Sequence, residues 1–154
     1  MAKGGVCVHF EGIEQVIIDA IGQCTGVIGC VAWLRSPRIM RALAKVPCNI
    51  AITNDVNLPQ RQYKSLKPMR KEHAAVCKVG LARGRMRHLM HHKFIVGFTD
   101  SAKVPSFVIT GSFNFTHNSA SNNLENIVRI DCKKIAGAYL AEAMAVLAVS
   151  RSAC

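Results

Sequence analysis

The sequence has little acid, few aromatic residues and no long unbroken apolar run, and each shortage limits what the protein can be. Only 9 Asp+Glu stand against 20 Lys+Arg in the 154 residues, which gives a net charge of +11. A field of that sign disfavours cationic partners and favours a polyanion, either nucleic acid or an anionic membrane surface. Aromatic residues make up 6% of the chain with a single tryptophan, so no aromatic stacking platform is evident.

The most apolar segment, residues 16–34, is too interrupted to span a bilayer. It contains Asp19, Gln23 and three glycines, whereas a spanning helix needs about 20 mostly apolar residues. We therefore expect no stable membrane insertion. The chain also lacks internal repeats, low-complexity segments and a domain linker, so residues 1–154 are expected to form one domain.

The cysteines lack any CxxC pair and are odd in number, which argues against a zinc ribbon and a disulfide framework. The seven are Cys7, Cys24, Cys30, Cys48, Cys77, Cys132 and Cys154. Most lie in apolar runs, where a free thiol packs as a small hydrophobe. Free thiols indicate a reducing compartment, and the N-terminus lacks a signal peptide's charged start and apolar core. We expect a cytoplasmic protein, encoded by a bacterium or a phage.

Apolar periodicity predicts alternating helices and buried strands. Spacing over residues 11–23 indicates an amphipathic helix, and Ser36 before Pro37 predicts an N-cap that opens a second helix ending near Ala44. Strands are predicted at 27–34, 48–53, 75–81 and 125–131, a hairpin at 94–98 with 106–110, and a closing helix at 135–147. The polar residues 54–75 should form a loop and a short helix. The fold class is α/β, with a mixed β-sheet flanked by helices.

Two histidines and a lysine stand directly before an apolar strand. Because alternate residues of a strand face the same way, His91 and Lys93 share one face and His92 points to the other. A lysine supplies fixed positive charge for a phosphate, and an imidazole can attack or transfer a proton. Two other interpretations stay open from these residues alone. One is a histidine-rich surface edge; the other is a metal site, for which the available ligands are His88, His91, His92 and Cys77.

Two further segments carry polar groups beside apolar strands. Gly111 permits close backbone approach, and Ser112 and Asn114 alternate onto one face with neutral hydrogen-bond donors that suit phosphoryl oxygens. Glu125 begins a later apolar strand, and a carboxylate hydrogen-bonded to an imidazole fixes its tautomer and raises its basicity. An ordinary Gly-Ser turn and a solvent-facing strand end explain the same residues equally well when each segment is taken alone.

Taken together, His91-x-Lys93, Gly111-Ser112-x-Asn114-Phe-Thr and Glu125-Asn126 resemble the phospholipase D superfamily. Within it the chain is most similar to small bacterial endonucleases that carry a single copy of the HKD motif, and the likeness covers most of residues 10–150.

The resemblance implies a mechanism and an assembly. His91 would be the nucleophile that forms a phosphohistidine, with Lys93, Ser112 and Asn114 binding phosphoryl oxygens and Glu125 orienting His91. Each active site of the family needs two such histidines, so a chain with one motif implies a homodimer with both motifs at its two-fold axis. The resemblance implies no cofactor and no metal, because two Lys93 side chains would supply the positive charge.

The sequence departs from the family pattern at the third letter of the motif. The family has an aspartate five residues after the lysine, where this chain has Phe98, and the nearest acid is Asp100. The segment from Phe98 to Gly111 is also longer than in the family. The departure puts the local geometry in doubt more than the chemistry.

The substrate class follows from charge. Arg83, Arg85 and Arg87 alternate just before His91, and a second basic cluster consists of Lys64, Lys67, Arg70 and Lys71. A groove lined in this way would follow a phosphate backbone without reading sequence, although such runs are also common on solvated faces. The first hypothesis is non-specific hydrolysis of DNA, with single strands and RNA left open as further substrates. The alternatives are a lipid phosphodiesterase for an anionic headgroup such as cardiolipin, and a catalytically weak nucleic-acid-binding module.

Overall fold

The computed structural model describes residues 5–53, 69, 74–79, 89–100 and 104–152. These residues form eight strands and four helices. The strands are β1 Val6–His9, β2 Gly26–Val31, β3 Cys48–Thr53, β4 Ala74–Val79, β5 Lys93–Phe98, β6 Phe107–Gly111, β7 Ile127–Ile130 and the short β8 Arg151–Ser152. The helices are α1 Ile13–Gly22, α2 Pro37–Leu43, α3 His117–Ser121 and α4 Lys133–Ala148.

The strands form one mixed sheet in the order β1-β7-β6-β5-β2-β3-β4-β8. The neighbours β2, β3 and β4 run parallel, and the remaining pairs are antiparallel. Helices cover both faces: α1 and α2 pack with one apolar cluster, and α4 packs with the other. The predicted α/β fold with a mixed sheet flanked by helices is therefore confirmed.

Adjacent residues of β5 show why this chain makes a doubly covered sheet. Ile95 belongs to the cluster beneath α1 and α2, whereas Phe94 and Val96 belong to the cluster beneath α4. All three are at most 2% exposed. A strand that is buried on both faces has a continuous apolar sequence, and such apolar runs were the pattern from which the buried strands were predicted.

The second helix begins as its sequence predicts. Ser36 is the N-cap, and its side chain accepts a hydrogen bond from Ile39 N at 3.2 Å, with Pro37 at the first helical position. Ser36 Oγ also donates to the Glu14 carboxylate at 2.5 Å, and Arg38 donates to the same group at 2.6 Å. These bonds tie α2 to α1 on one side of the sheet.

Some element boundaries differ from the prediction. Strand β2 ends at Val31 rather than at residue 34, and β7 begins at Ile127 rather than at Glu125. In both cases a residue left outside the strand makes another contact. Leu34 forms an isolated β-bridge with Phe115, and the Glu125 carboxylate accepts a hydrogen bond from Ser112. The predicted loop and short helix at 54–75 and both basic clusters fall almost wholly outside the described residues.

The position where the family has aspartate is part of the apolar core. Phe98 is 4% exposed and ends β5 in the cluster beneath α4. Its carbonyl accepts hydrogen bonds from Thr25 N at 2.7 Å and Thr25 Oγ1 at 3.1 Å. The hairpin after it is joined by Thr99 and Ser106, whose hydroxyl oxygens lie 2.8 Å apart. The buried Phe98 ring and the Thr99–Ser106 hydroxyl contact therefore lie where the family has its aspartate.

Within the described part of the chain, no helix has the length and apolar character needed to cross a bilayer. The six cysteines described there are all free. Burial raises the pKa of the Cys24 and Cys48 thiols to about 11 and that of Cys30 to about 12. These three thiols are therefore protonated and serve as apolar packing groups.

Candidate active site

Strand register brings the three motif segments to one edge of the sheet. Phe94 pairs with Thr110 across β5 and β6, and Gly111 pairs with Ile127 across β6 and β7. The start of β5, the end of β6 and the start of β7 are consequently adjacent. Three segments that lie far apart in the sequence meet because antiparallel neighbours reverse the chain direction.

His91 and Lys93 contact each other on one side of this edge. Lys93 Nζ lies 3.1 Å from His91 Nδ1 and 3.2 Å from His91 Nε2, and it donates to the His91 carbonyl oxygen at 3.0 Å. His92 points the other way, where its Nε2 lies 3.2 Å from a Glu142 carboxylate oxygen. The alternation read from the sequence therefore holds at this edge.

The surroundings of His91 favour the neutral form of its ring. Desolvation lowers the pKa of His91 below the ordinary histidine value, and the charges of Lys93 and His92 lower it further. Desolvation also lowers the pKa of Lys93, while the Glu125 carboxylate acts in the opposite direction. A neutral imidazole has a free lone pair, which is the form that can attack phosphorus.

Ser112 and Glu125 form a second pair beside the first. Ser112 Oγ donates a short hydrogen bond to the Glu125 carboxylate and accepts one from Asn126 N at 3.1 Å. Asn123 Nδ2 donates to the other Glu125 oxygen at 3.1 Å. Among the described residues, therefore, Glu125 accepts hydrogen bonds from Ser112 and Asn123, and not from His91, which the family resemblance implied.

Asn114 lies between two buried phenylalanines in the sequence. Phe113 and Phe115 are both 1% exposed, which directs Ser112 and Asn114 away from that part of the core. Asn114 Oδ1 is buried, and no donor among the described residues reaches it. Neither Ser112 nor Asn114 forms a hydrogen bond with His91 or Lys93. The site therefore consists of the His91–Lys93 pair, the Ser112–Glu125 pair and the side-chain amide of Asn114.

Gly111 ends β6 where the backbone of β7 comes very close. A Cβ at this position would overlap Asn126 O and crowd Ile127 Cα at 2.8 Å. The prediction of close backbone approach therefore holds, but the neighbour is β7 rather than a tight turn. Any larger residue would push apart the two strands next to which Ser112 and Glu125 lie.

Sequence reasoning missed Trp33. Its ring meets the His91 ring edge-on, with centroids 5.1 Å apart and planes at 81°, and Lys93 Nζ lies 5.7 Å from the indole centroid. Val31 pairs with Lys93 across β2 and β5, and Ala32 N donates to His92 O at 2.8 Å. Extending this register by one residue places Trp33 opposite His91. The strand pairing was the missing signal.

Arg83, Arg85 and Arg87 are outside the described residues. Over the ranges that the structure describes, no three His, Cys, Asp or Glu side chains cluster in a way that could hold a metal ion. A cavity of about 460 Å³ lies at the site and extends toward α4. Its lining includes His91, Lys93 and Gly111 as well as His92, Tyr139 and Glu142.

Sequence and fold comparisons give the same family. The family described as "Cardiolipin synthase, PLD-like domain" matches residues 17–146, which is most of the chain. The chain belongs to the phospholipase D-like family. The predicted resemblance to that superfamily is confirmed, and the family and fold support the expectation of a phosphodiester hydrolase.

Solved structures share the whole fold. Nuc, a phospholipase D family member from Salmonella typhimurium, matches with a TM-score of 0.80 at 21% identity, covering 97% of this chain and 98% of its own. NucT from Helicobacter pylori matches with a TM-score of 0.78 at 16% identity, covering 97% and 99%. TrmBL2, an archaeal chromatin protein described as having a novel mode of DNA binding, matches at 0.59 and 9% identity, covering 97% and 54%.

A viral protein is similar in sequence. The uncharacterized protein L381 of Acanthamoeba polyphaga mimivirus is 25% identical over 181 residues, covering 90% of this chain. The chain spans 63% of the length of that relative.

Proposed function

We propose that the protein is a metal-independent endonuclease that hydrolyses DNA non-specifically, with RNA as a second substrate. The observation that carries the proposal is the contact between His91 and Lys93 at the sheet edge where Ser112 and Glu125 also lie. A nucleophile beside a fixed cation suits a phosphodiester, whose phosphate is both electrophile and anion. The net charge of +11 favours nucleic acid over a neutral diester.

The proposed reaction has two displacements at phosphorus. In the first, a His91 ring nitrogen forms a bond to phosphorus as the bond to the leaving oxygen breaks, and an imidazolium of the partner's His91 gives that oxygen a proton. In the second, water attacks phosphorus, its proton passes to the partner's His91, and the P–N bond breaks. Lys93, Ser112 and Asn114 stabilise the phosphoryl oxygens in both steps, and Gly111 keeps β6 and β7 close enough to do so.

A homodimer supplies the second histidine of this mechanism. The neighbouring His92 cannot serve, because it faces α4 and lies against Glu142. The same assembly gives Glu125 a role, since its proposed orienting action would fall on the partner's His91 rather than on the histidine of its own chain. Two Lys93 side chains facing one phosphate would take the place of a divalent cation.

The proposal is tested by plasmid and single-strand cleavage in excess EDTA, comparing wild type with His91→Ala and with His92→Ala as the matched control. We expect the wild type and His92→Ala to cut and His91→Ala to be inactive. Activity that disappears on adding EDTA would show that a metal carries the reaction and would contradict the assignment. Equal losses in the two variants would contradict the distinction between the two histidines.

A lipid phosphodiesterase is the second candidate, because the matching family is described by a phospholipid-synthesising activity. Cardiolipin vesicles offered under the same conditions decide between the two substrates. A third candidate is a DNA-binding module without catalysis, which the fold shared with TrmBL2 supports. Such a module would bind DNA equally well with His91 or Ala at position 91 and would cut nothing.

A further inference from the structure

Trp33 is the single tryptophan of the chain, and the proposed chemistry gives it no role. It lies just beyond β2, at the edge where β2 and β5 pair, and its side chain is only partly buried. It is absent from both apolar clusters that form the core. Because this large ring is partly exposed beside His91 and Lys93, we look for a role other than packing in the core.

The indole stands next to the groups that are proposed to hold the phosphate. The His91 ring lies 5.1 Å away, centroid to centroid, and Lys93 Nζ lies 5.7 Å from the indole centroid. In a polynucleotide each base is separated from its own phosphate by one sugar. A phosphate bound at Lys93 therefore carries its neighbouring base into the region of Trp33.

Stacking of a base on an aromatic side chain contributes about 1–3 kcal/mol per base and does not depend strongly on base identity. The bases of a duplex are already stacked on one another and cannot use such a surface. We propose that Trp33 is the stacking surface for an unpaired nucleobase next to the scissile phosphate, so that single strands are preferred over duplexes. This inference rests on the proposed nuclease function and specifies its substrate.

The experiment compares two variants and two substrates. Trp33→Leu keeps an apolar side chain but removes the aromatic face, and Trp33→Phe keeps a smaller face. The substrates are a single-stranded oligonucleotide and an abasic strand of the same length, which has the same phosphates but no bases. We expect the wild type to have a KM lower by about tenfold for the strand with bases, as one stacked base implies. This ratio should fall close to one in Trp33→Leu and be largely kept in Trp33→Phe.

Three results would overturn the inference. One is a KM ratio that Trp33→Leu leaves unchanged. Another is an equal fall in kcat on both substrates together with a shifted pH profile, which would make Trp33 a positioning residue for the His91 ring only. The third is a changed oligomeric state of Trp33→Leu in size-exclusion chromatography with light scattering, which would make Trp33 an interface residue.

Fluorescence separates this inference from the proposed nuclease function. Because Trp33 is the single tryptophan, emission excited at the indole band reports on it alone. We expect quenching by the strand with bases and little change with the abasic strand. If the wild type cuts neither strand but shows this quenching, the nuclease proposal fails and the stacking site stands. If it cuts both strands and neither quenches, the stacking site fails and the nuclease proposal stands.

Discussion

His91 and His92 are neighbours in the sequence with opposite surroundings. His91 lies against a lysine ammonium and makes a T-shaped ring contact with Trp33. His92 lies against the Glu142 carboxylate and makes a T-shaped ring contact with Phe94, with centroids 5.5 Å apart. A cation beside an imidazole disfavours its protonation and attracts phosphate, whereas a carboxylate does neither. Local charge, rather than residue type, therefore separates a candidate nucleophile from a structural side chain.

The largest difference in cleavage should appear when the two histidines are replaced one at a time. Removing a nucleophile costs several orders of magnitude in kcat, so His91→Asn should lower cleavage by at least about 1,000-fold. His92→Asn should stay within about threefold of wild type, because its partner is an exposed carboxylate and exposed ion pairs contribute at most about 1 kcal/mol. Initial rates on a fluorescent oligonucleotide in EDTA measure both.

The next largest effect should come from the lysine beside His91. Lys93→Met removes the fixed charge that would stabilise the phosphoryl oxygens, and loss of one such stabilising group typically costs about 100- to 1,000-fold in kcat. Lys93→Arg keeps the charge but changes its shape and reach, so it should recover only part of the rate. Full activity of Lys93→Met in a steady-state assay would contradict the proposed role of Lys93.

The pH dependence of cleavage should show the lowered pKa of His91. Because desolvation and the charge of Lys93 lower the pKa of His91, its ring stays neutral at pH values where an ordinary histidine is already protonated. The acid limb of kcat/KM should therefore lie below the ordinary histidine range. In Lys93→Met the pKa of His91 should rise, which nuclear magnetic resonance titration of the ring protons measures without needing activity. A fall in that pKa would contradict the electrostatic account.

The smallest effect should come from the carboxylate beside His92. Glu142→Gln removes the charge that lies against His92, beside the cavity on the α4 side. Both side chains are about half exposed, at 47% and 51%, so unfolding free energy should change by less than about 1 kcal/mol. Cleavage should be nearly unchanged. A large loss of cleavage, with thermal stability intact, would mean that the α4 face also belongs to the active site.

The parts of the fold and site that follow local rules were predictable from the sequence. Ser36 before Pro37 gave the start of α2, and two-residue alternation gave the shared face of His91 and Lys93. Trp33 was not predictable, because its place depends on the pairing of β2 with β5 rather than on any nearby residue. Glu125 was predicted in a strand and beside His91, and its choice of Ser112 instead depends on where β6 and β7 meet.

The measurement that tests the central claim most directly is a search for the covalent intermediate. Wild-type protein is mixed with an oligonucleotide in EDTA, quenched within one turnover under alkaline conditions that preserve phosphohistidine, digested and analysed by mass spectrometry. The account predicts a nucleotide or phosphate adduct on His91 and none on His92. Cleavage that proceeds in EDTA with no adduct on His91, or with an adduct on another residue, would contradict it.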